Sequence, residues 1–197
     1  MKRVELFLLL LVIGSLWGFF EMLALPVFAV CAIGLFLIVL GRRVIDFPGS
    51  SIIIGLIVCF YKTYSDHFFI CQWAGVMALA GSFDLFVSIV FKESWFKRFN
   101  PVLLGVLTNV TAFFVFVITV TFIFREPNWV SGGMERVIKY ALYTAIPAAI
   151  FSGLISAPLG ILAGSKLKEY YASFPLKLFP GIYLTATILL WIIAAIK

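Results

Sequence analysis

Charge is scarce in this sequence. Only 12% of the 197 residues are Asp, Glu, Lys or Arg, about half the roughly 25% of an average soluble domain. So few charges cannot clothe a 22.0 kDa globule in water without apolar patches larger than soluble monomers tolerate. Histidine is nearly absent too: His67 stands alone, which argues against a multi-ligand zinc site. The cysteines are Cys31, Cys59 and Cys71, all in apolar stretches and without C-x-x-C spacing, as expected of packing residues rather than ligands or a disulfide framework. No H-E-x-x-H, G-x-S-x-G or Walker A sequence occurs, so no catalytic residue, metal or cofactor is assigned, and any ATPase must sit on another chain. An Arg ladder, a T-V-G-Y-G filter and comparable halves are missing as well, which argues against familiar cation channels and inverted-repeat transporters.

What is there is apolar. Hydrophobic residues make up 63% and aromatics 17%, with a mean hydropathy of +1.15. Disordered, collagen-like and disulfide-stapled chains all need other compositions. The expected class is an all-α integral membrane protein, a bundle of six to seven transmembrane helices in the cell (inner) membrane, with residues 1–197 forming one domain. Nucleic acid is not an expected partner despite the net charge of +6; the basic residues are topology signals. The start, Met1-Lys2-Arg3 before the apolar run Leu6–Ile13, resembles a signal peptide but has no small-x-small cleavage site, and it reads as a retained first helix.

A span needs about 20 apolar residues. Residues 6–40 carry one charge, Glu21, and are too long for one crossing, so the chain must fold back near Glu21–Pro26. Helices are expected at 5–22, 27–41, 51–64, 68–91, 101–124, 136–166 and 178–196, with Pro101 at a first helical turn and 125–135 as a polar linker with turn chemistry. With the N-terminus inside, the inner segments would hold Lys2, Arg3, Arg42, Arg43, Lys92, Lys97, Arg98, Lys166, Lys168 and Lys177. The outer segments would hold Lys62, Arg125, Arg136, Lys139 and Lys197. This excess predicts a cytoplasmic N-terminus.

Ionisable groups at membrane depth carry a functional hypothesis by default. The alternation brings Glu21, Lys62, Asp66, His67, Gln72 and Trp73 to the outer end. Together they would line a pocket for a small zwitterionic or aromatic solute. The other reading is an interfacial Glu21–Lys62 ion pair with aromatic belt anchors. Asp84 and Asn109 lie deeper, as members of an ion or proton relay or as interhelical hydrogen-bonding groups. The sixth helix repeats Ala141, Ala145, Ala149, Gly153 and Ala157 every fourth residue, and the first has Gly14-x-x-x-Gly18. Such smooth stripes let another helix approach closely, within this chain or from a partner chain. Pro147 and Pro158 should kink the sixth helix.

Four stretches carry a resemblance: GSLWGFFE (14–21), FPGSSIIIGLIVCFYK (47–62), WAGVMALAGSFDLF (73–86) and APLGILAG (157–164). In these the chain resembles the substrate-binding (S) component of an energy-coupling-factor transporter, a small helical membrane protein that normally has six spans; here 178–196 would be a seventh. The resemblance implies uptake of a vitamin-like micronutrient. The solute would be held at the outer half, and a transmembrane coupling subunit and cytoplasmic ATPases would supply the work. Gly14 and Gly18 match, by type and spacing, the small-residue patch with which the family meets its coupling subunit. Two other functions stay open, a non-catalytic assembly subunit and a small lipid-modifying enzyme using Asp84 or Glu21. For the topology, a cysteine placed at Lys97 in a cysteine-free background should stay unlabelled by a membrane-impermeant thiol reagent added outside. Labelling there would reverse the orientation.

Overall fold

The computed structural model describes residues 3–23, 25–64, 70–90, 100–173 and 179–196. Among them the chain is helical, with seven helices in one bundle. These are α1 (Arg3–Met22), α2 (Val27–Val44), α3 (Ser50–Lys62), α4 (Ile70–Leu85), α5 (Pro101–Ile118), α6 and α7 (Phe179–Ile196). Short π-helical turns, Phe86–Val90 and Thr119–Ile123, extend α4 and α5. The long α6 runs from Gly133 to Tyr171 and just beyond, 39 residues to that point, or about 58 Å at 1.5 Å per residue. Five helices are long and apolar enough to cross a membrane, and Ser50–Lys62 and Pro180–Ile196 are shorter apolar helices. The chain is a multi-pass membrane protein. A bilayer interior leaves such sequences no choice but helix, because every backbone N–H and C=O must find its partner within the segment.

Local sequence sets the boundaries. Pro101 begins α5, and the Asn100 side chain accepts the Val102 N–H at 2.9 Å. Gly49, at φ 89°, makes the left-handed turn into α3 that a Cβ would strain. α6 begins at Gly133 and ends at Ser173, longer at both ends than the expected 136–166, while the expected ends 68, 91 and 178 lie outside the described residues. Its polar ends, with exposed Glu135, Arg136, Lys139, Lys166 and Lys168, stay helical beyond the apolar stretch. The expected disturbance at the two prolines takes the form of π-helical turns, Ala141–Ala145 before Pro147 and Ser152–Ser156 before Pro158. Proline has no N–H for the preceding turn, and widening the helix there accommodates the ring.

Neighbouring helices alternate in direction, so the bundle has a near end, holding the start of α1, and a far end. α1 packs against α3, α3 against α4, α4 against α5, and α2 against the last third of α6, while α7 lies along α1. Glycines set these approaches. A Cβ on Gly14 would lie 2.7 Å from Ile57 Cβ, and one on Gly18 2.6 Å from Tyr61 Cβ, so α3 seats directly on the backbone of α1. Gly105 and Gly153 do the same between α5 and α6, where a Cβ on Gly105 would be 2.8 Å from Gly153 Cα. The small-residue columns therefore serve packing within this chain. Ala149, Gly153 and Ala157 are buried inside it, Ala145 is half-buried, and Gly14 and Gly18 present no free surface to a partner. α7 is tied on by Trp191 Nε1, which donates to Ser15 Oγ at 2.9 Å, and by the Tyr61 hydroxyl, which donates to the Leu190 carbonyl.

The near end is closed by a polar knot. Arg42, only 3% exposed, donates to Ser50 Oγ (3.3 Å) and Ser88 Oγ (3.2 Å) and ion-pairs with Asp46 (3.7 Å) and Asp84 (3.9 Å). Asp84 Oδ2 in turn accepts the Gly49 N–H at 2.9 Å. Asp84 thus lies in an interhelical network that fastens the α2–α3 turn to α4. Asn109 Nδ2 donates to the Gly105 carbonyl one turn earlier in α5, at 3.0 Å. A cavity-free overpacking change should cost about 1–3 kcal/mol. Gly18→Ala should therefore lower the thermal midpoint in mild detergent by several degrees. Gly81→Ala, whose Cβ meets nothing within 4 Å, should leave it unchanged or raise it.

Candidate functional site

At the far end the helices separate around a cavity of about 630 Å³. The end of α1, the start of α2, the end of α3 and the start of α4 form one side, with Glu21, Val30, Cys31, Lys62, Cys71 and Gln72 in its walls. The other side comes from α5, from a single helical turn (Pro127–Val130) and from the first turns of α6, through Phe116, Trp129, Arg136, Lys139 and Tyr140. A narrow extension of about 40 Å³, room for about one water, continues from Cys31, Gly75 and Phe116 down to Asn109, Thr144 and Ala145.

The first side is built by a chain of dependencies. Seating α3 on Gly14 and Gly18 fixes the register that carries Lys62 beside Glu21, and Lys62 Nζ meets Glu21 Oε2 at 2.7 Å. The lysine is 5% exposed. Trp17, 1% exposed, donates from Nε1 to the other carboxylate oxygen, Glu21 Oε1, at 3.2 Å. Its indole has room only because Gly34 of α2 lacks a side chain; a Cβ there would lie 2.5 Å from Trp17 Cε2. A carboxylate and an ammonium can stand at this depth because each neutralises the other and the remaining oxygen is hydrogen-bonded.

The opposite side is an aromatic cluster. Phe116 lies 5.3 Å from Trp129 and 5.1 Å from Tyr140, and Trp129 and Tyr140 are 5.4 Å apart, ring centroid to centroid. Trp129 Nε1 donates to Thr121 Oγ1 at 3.0 Å, which holds the indole edge-on to Phe116. The Arg136 guanidinium carbon lies 5.9 Å from the Trp129 ring centre, within cation–π range. Lys139 ion-pairs with Glu135 at 2.7 Å on the exposed face of the same helix. Apolar walls with a few convergent polar groups are the usual make-up of a small-molecule site, and the volume falls in the usual range of roughly 300–1,000 Å³.

Of the six residues expected to line a pocket, Glu21, Lys62 and Gln72 stand in its walls. Trp73 is half-buried, packed against the core and not in the walls. Asp66 and His67 lie outside the described residues, as does Lys97. Sequence reasoning missed Trp17, Phe116, Trp129, Arg136, Lys139 and Tyr140. One signal was present: a tryptophan inside the otherwise polar linker 125–135 has no reason to be there unless it turns back onto the bundle. Among the described residues no group of three or more His, Cys, Asp or Glu side chains is placed to hold a metal ion. Comparison with protein-family models, with curated proteins and with solved structures finds no match.

The pair is open to a double-mutant test. Removing one partner strands a buried charge, which costs about 3–5 kcal/mol, whereas removing both is nearly neutral. Lys62→Met should sharply lower the thermal midpoint and yield in detergent, and Glu21→Gln/Lys62→Met should recover most of the loss. Equal loss in the single and double variants would show that the second change relieves no stranded charge and that the pair is a net stabiliser in its own right.

Proposed function

We propose that this chain is the membrane-embedded binding subunit of an uptake system for a small organic solute, in the manner of an energy-coupling-factor S component, which its sequence resembles. The observation that carries the reading is the far-end cavity, large enough for a vitamin-sized molecule, with a buried ion pair in one wall and an aromatic cluster in the other. An N-terminus inside, as the basic residues favour, turns this cavity to the outside, where a solute to be imported would enter. The inner membrane of a cell is then its place, and release into the cytoplasm requires work from other chains, a coupling subunit and ATPases. The chain itself performs no chemistry in this reading. The assembly-subunit alternative loses its main support, since the small-residue faces it would use are filled by helices of the same chain. The intramembrane-enzyme alternative would need Asp84 or Glu21 free for chemistry, and both are held in ion pairs.

Gly75 provides a clean test. A Cβ at this cavity-wall position meets only Phe116 ring carbons at 3.8 and 3.9 Å, so a larger side chain would grow into the cavity rather than into the core. Native mass spectrometry of the wild-type protein in mild detergent should show a small co-purifying mass. Gly75→Leu should lose that mass while keeping the wild-type thermal midpoint. A wild-type chain that is bare, or carries only lipid, would count against the proposal.

A further inference from the structure

Among the described residues, every charged side chain in the cavity walls is already engaged. Glu21 and Lys62 hold each other at 2.7 Å, and Trp17 takes the second carboxylate oxygen. Lys139 pairs with Glu135, also at 2.7 Å, and Arg136 lies over the Trp129 ring at 5.9 Å. An ionised group entering the cavity would have to displace one of these partners or go without a counter-charge. An unpaired ion away from bulk water is strongly disfavoured. Neutral polar groups are left open instead. Asn109, 5% exposed, lies in the wall of the narrow extension. Its Nδ2 donates to the Gly105 carbonyl, which can accept but not donate, so the amide is oriented with Oδ1 left without a partner among the described residues. The π-helical turn Ala141–Ala145 brings Thr144 into the same wall, and Tyr140 borders both spaces. Their hydroxyls have no hydrogen-bond partner among the described residues either.

We propose that the solute is a neutral aromatic molecule whose ring lies beside Phe116, Trp129 and Tyr140 and whose uncharged hydrogen-bond donor, an amide or hydroxyl, reaches Asn109 Oδ1. This rests on the reading of the cavity as a solute site and adds the ligand's charge state and the place of its polar end. The two volumes set the orientation. About 630 Å³ accommodates a ring system, whereas an extension of about 40 Å³ admits one small group. A donor there satisfies a buried acceptor, and the aromatic cluster receives the apolar body through stacked and edge-on contacts.

Four probes with one ring separate charge, hydrogen bonding and shape: 2-naphthamide, methyl 2-naphthoate, the anion 2-naphthoate and the cation 2-naphthylmethylamine. The amide and the ester are both neutral, and the ester lacks a donor. Each is titrated calorimetrically against the full chain in non-ionic detergent. Gly75→Leu, whose larger side chain would fill the cavity, serves as the reference for uptake by the micelle. The expected order places the amide tightest, by about tenfold over the ester, with both ions weaker than the ester. Asn109→Leu, close in volume, should bring the amide down to the level of the ester and leave ester binding as it was. The amide–ester comparison in the wild type tests the same contact without any substitution. Tighter binding of either ion than of the amide overturns the charge assignment and leaves the solute site standing, as would a co-purifying molecule that is ionised or non-aromatic. Equal binding of amide and ester, or equal loss of both in Asn109→Leu, overturns the placement of the donor. Failure of all four probes together with a bare wild-type mass spectrum would overturn the solute site itself.

Discussion

The approach of α3 to α1 governs the far half of this molecule. Two missing side chains, at Gly14 and Gly18, let Ile57 and Tyr61 rest on the α1 backbone. Helix association in a bilayer draws little from the hydrophobic effect, since lipid tails are as apolar as leucine, and depends on such contact. The same register delivers Lys62 to Glu21, so close packing and charge neutralisation are one event. Everything on that side of the cavity follows: Trp17 is held by Glu21 and housed by Gly34, and Tyr61, next to Lys62, reaches α7.

The two ends of the bundle use polar groups differently. At the near end, Arg42 bridges Ser50 and Ser88 by hydrogen bonds and Asp46 and Asp84 by ion pairs, and Arg43 donates to Ser165 on α6 at 3.0 Å. Such a network binds elements together and leaves little room for anything else. At the far end the helices stand apart around the cavity, and the Glu21–Lys62 pair is buried in one wall. Arg136 and Lys139 face space on one side and solvent on the other. The π-helical turns of α6 belong to this contrast. One lies just below the cavity, between the polar first turns of α6 and the packed segment that begins at Ile146.

How far the sequence reaches can be followed residue by residue. The spans were legible because hydropathy in a membrane is a one-dimensional signal, and Pro101, Gly49 and the 125–135 linker punctuate it. Glu21 and Lys62 were legible as a pair because both are too costly at membrane depth to be accidental. Asp84 was visible as unusual, but its partner Arg42 looked like a loop charge until the structure buried it at 3% exposure. Trp73 was expected at the pocket because it neighbours Gln72, yet successive helical residues point about 100° apart. One of them reaches the cavity and the other packs against the core.

The sequence by itself determined that the chain lies in a membrane, that its segments are helices, roughly where each begins, and which charges would need explaining. These properties follow from local composition, which the bilayer reads without reference to the rest of the fold. Tertiary structure alone decided whether the glycine stripes face their own chain or another, that Asp84 belongs to a knot, and that Phe116, Trp129 and Tyr140 meet across three separate segments. Those outcomes depend on the rotation and register of whole helices. Rotation and register are settled by many small contacts at once, which no single stretch of sequence contains.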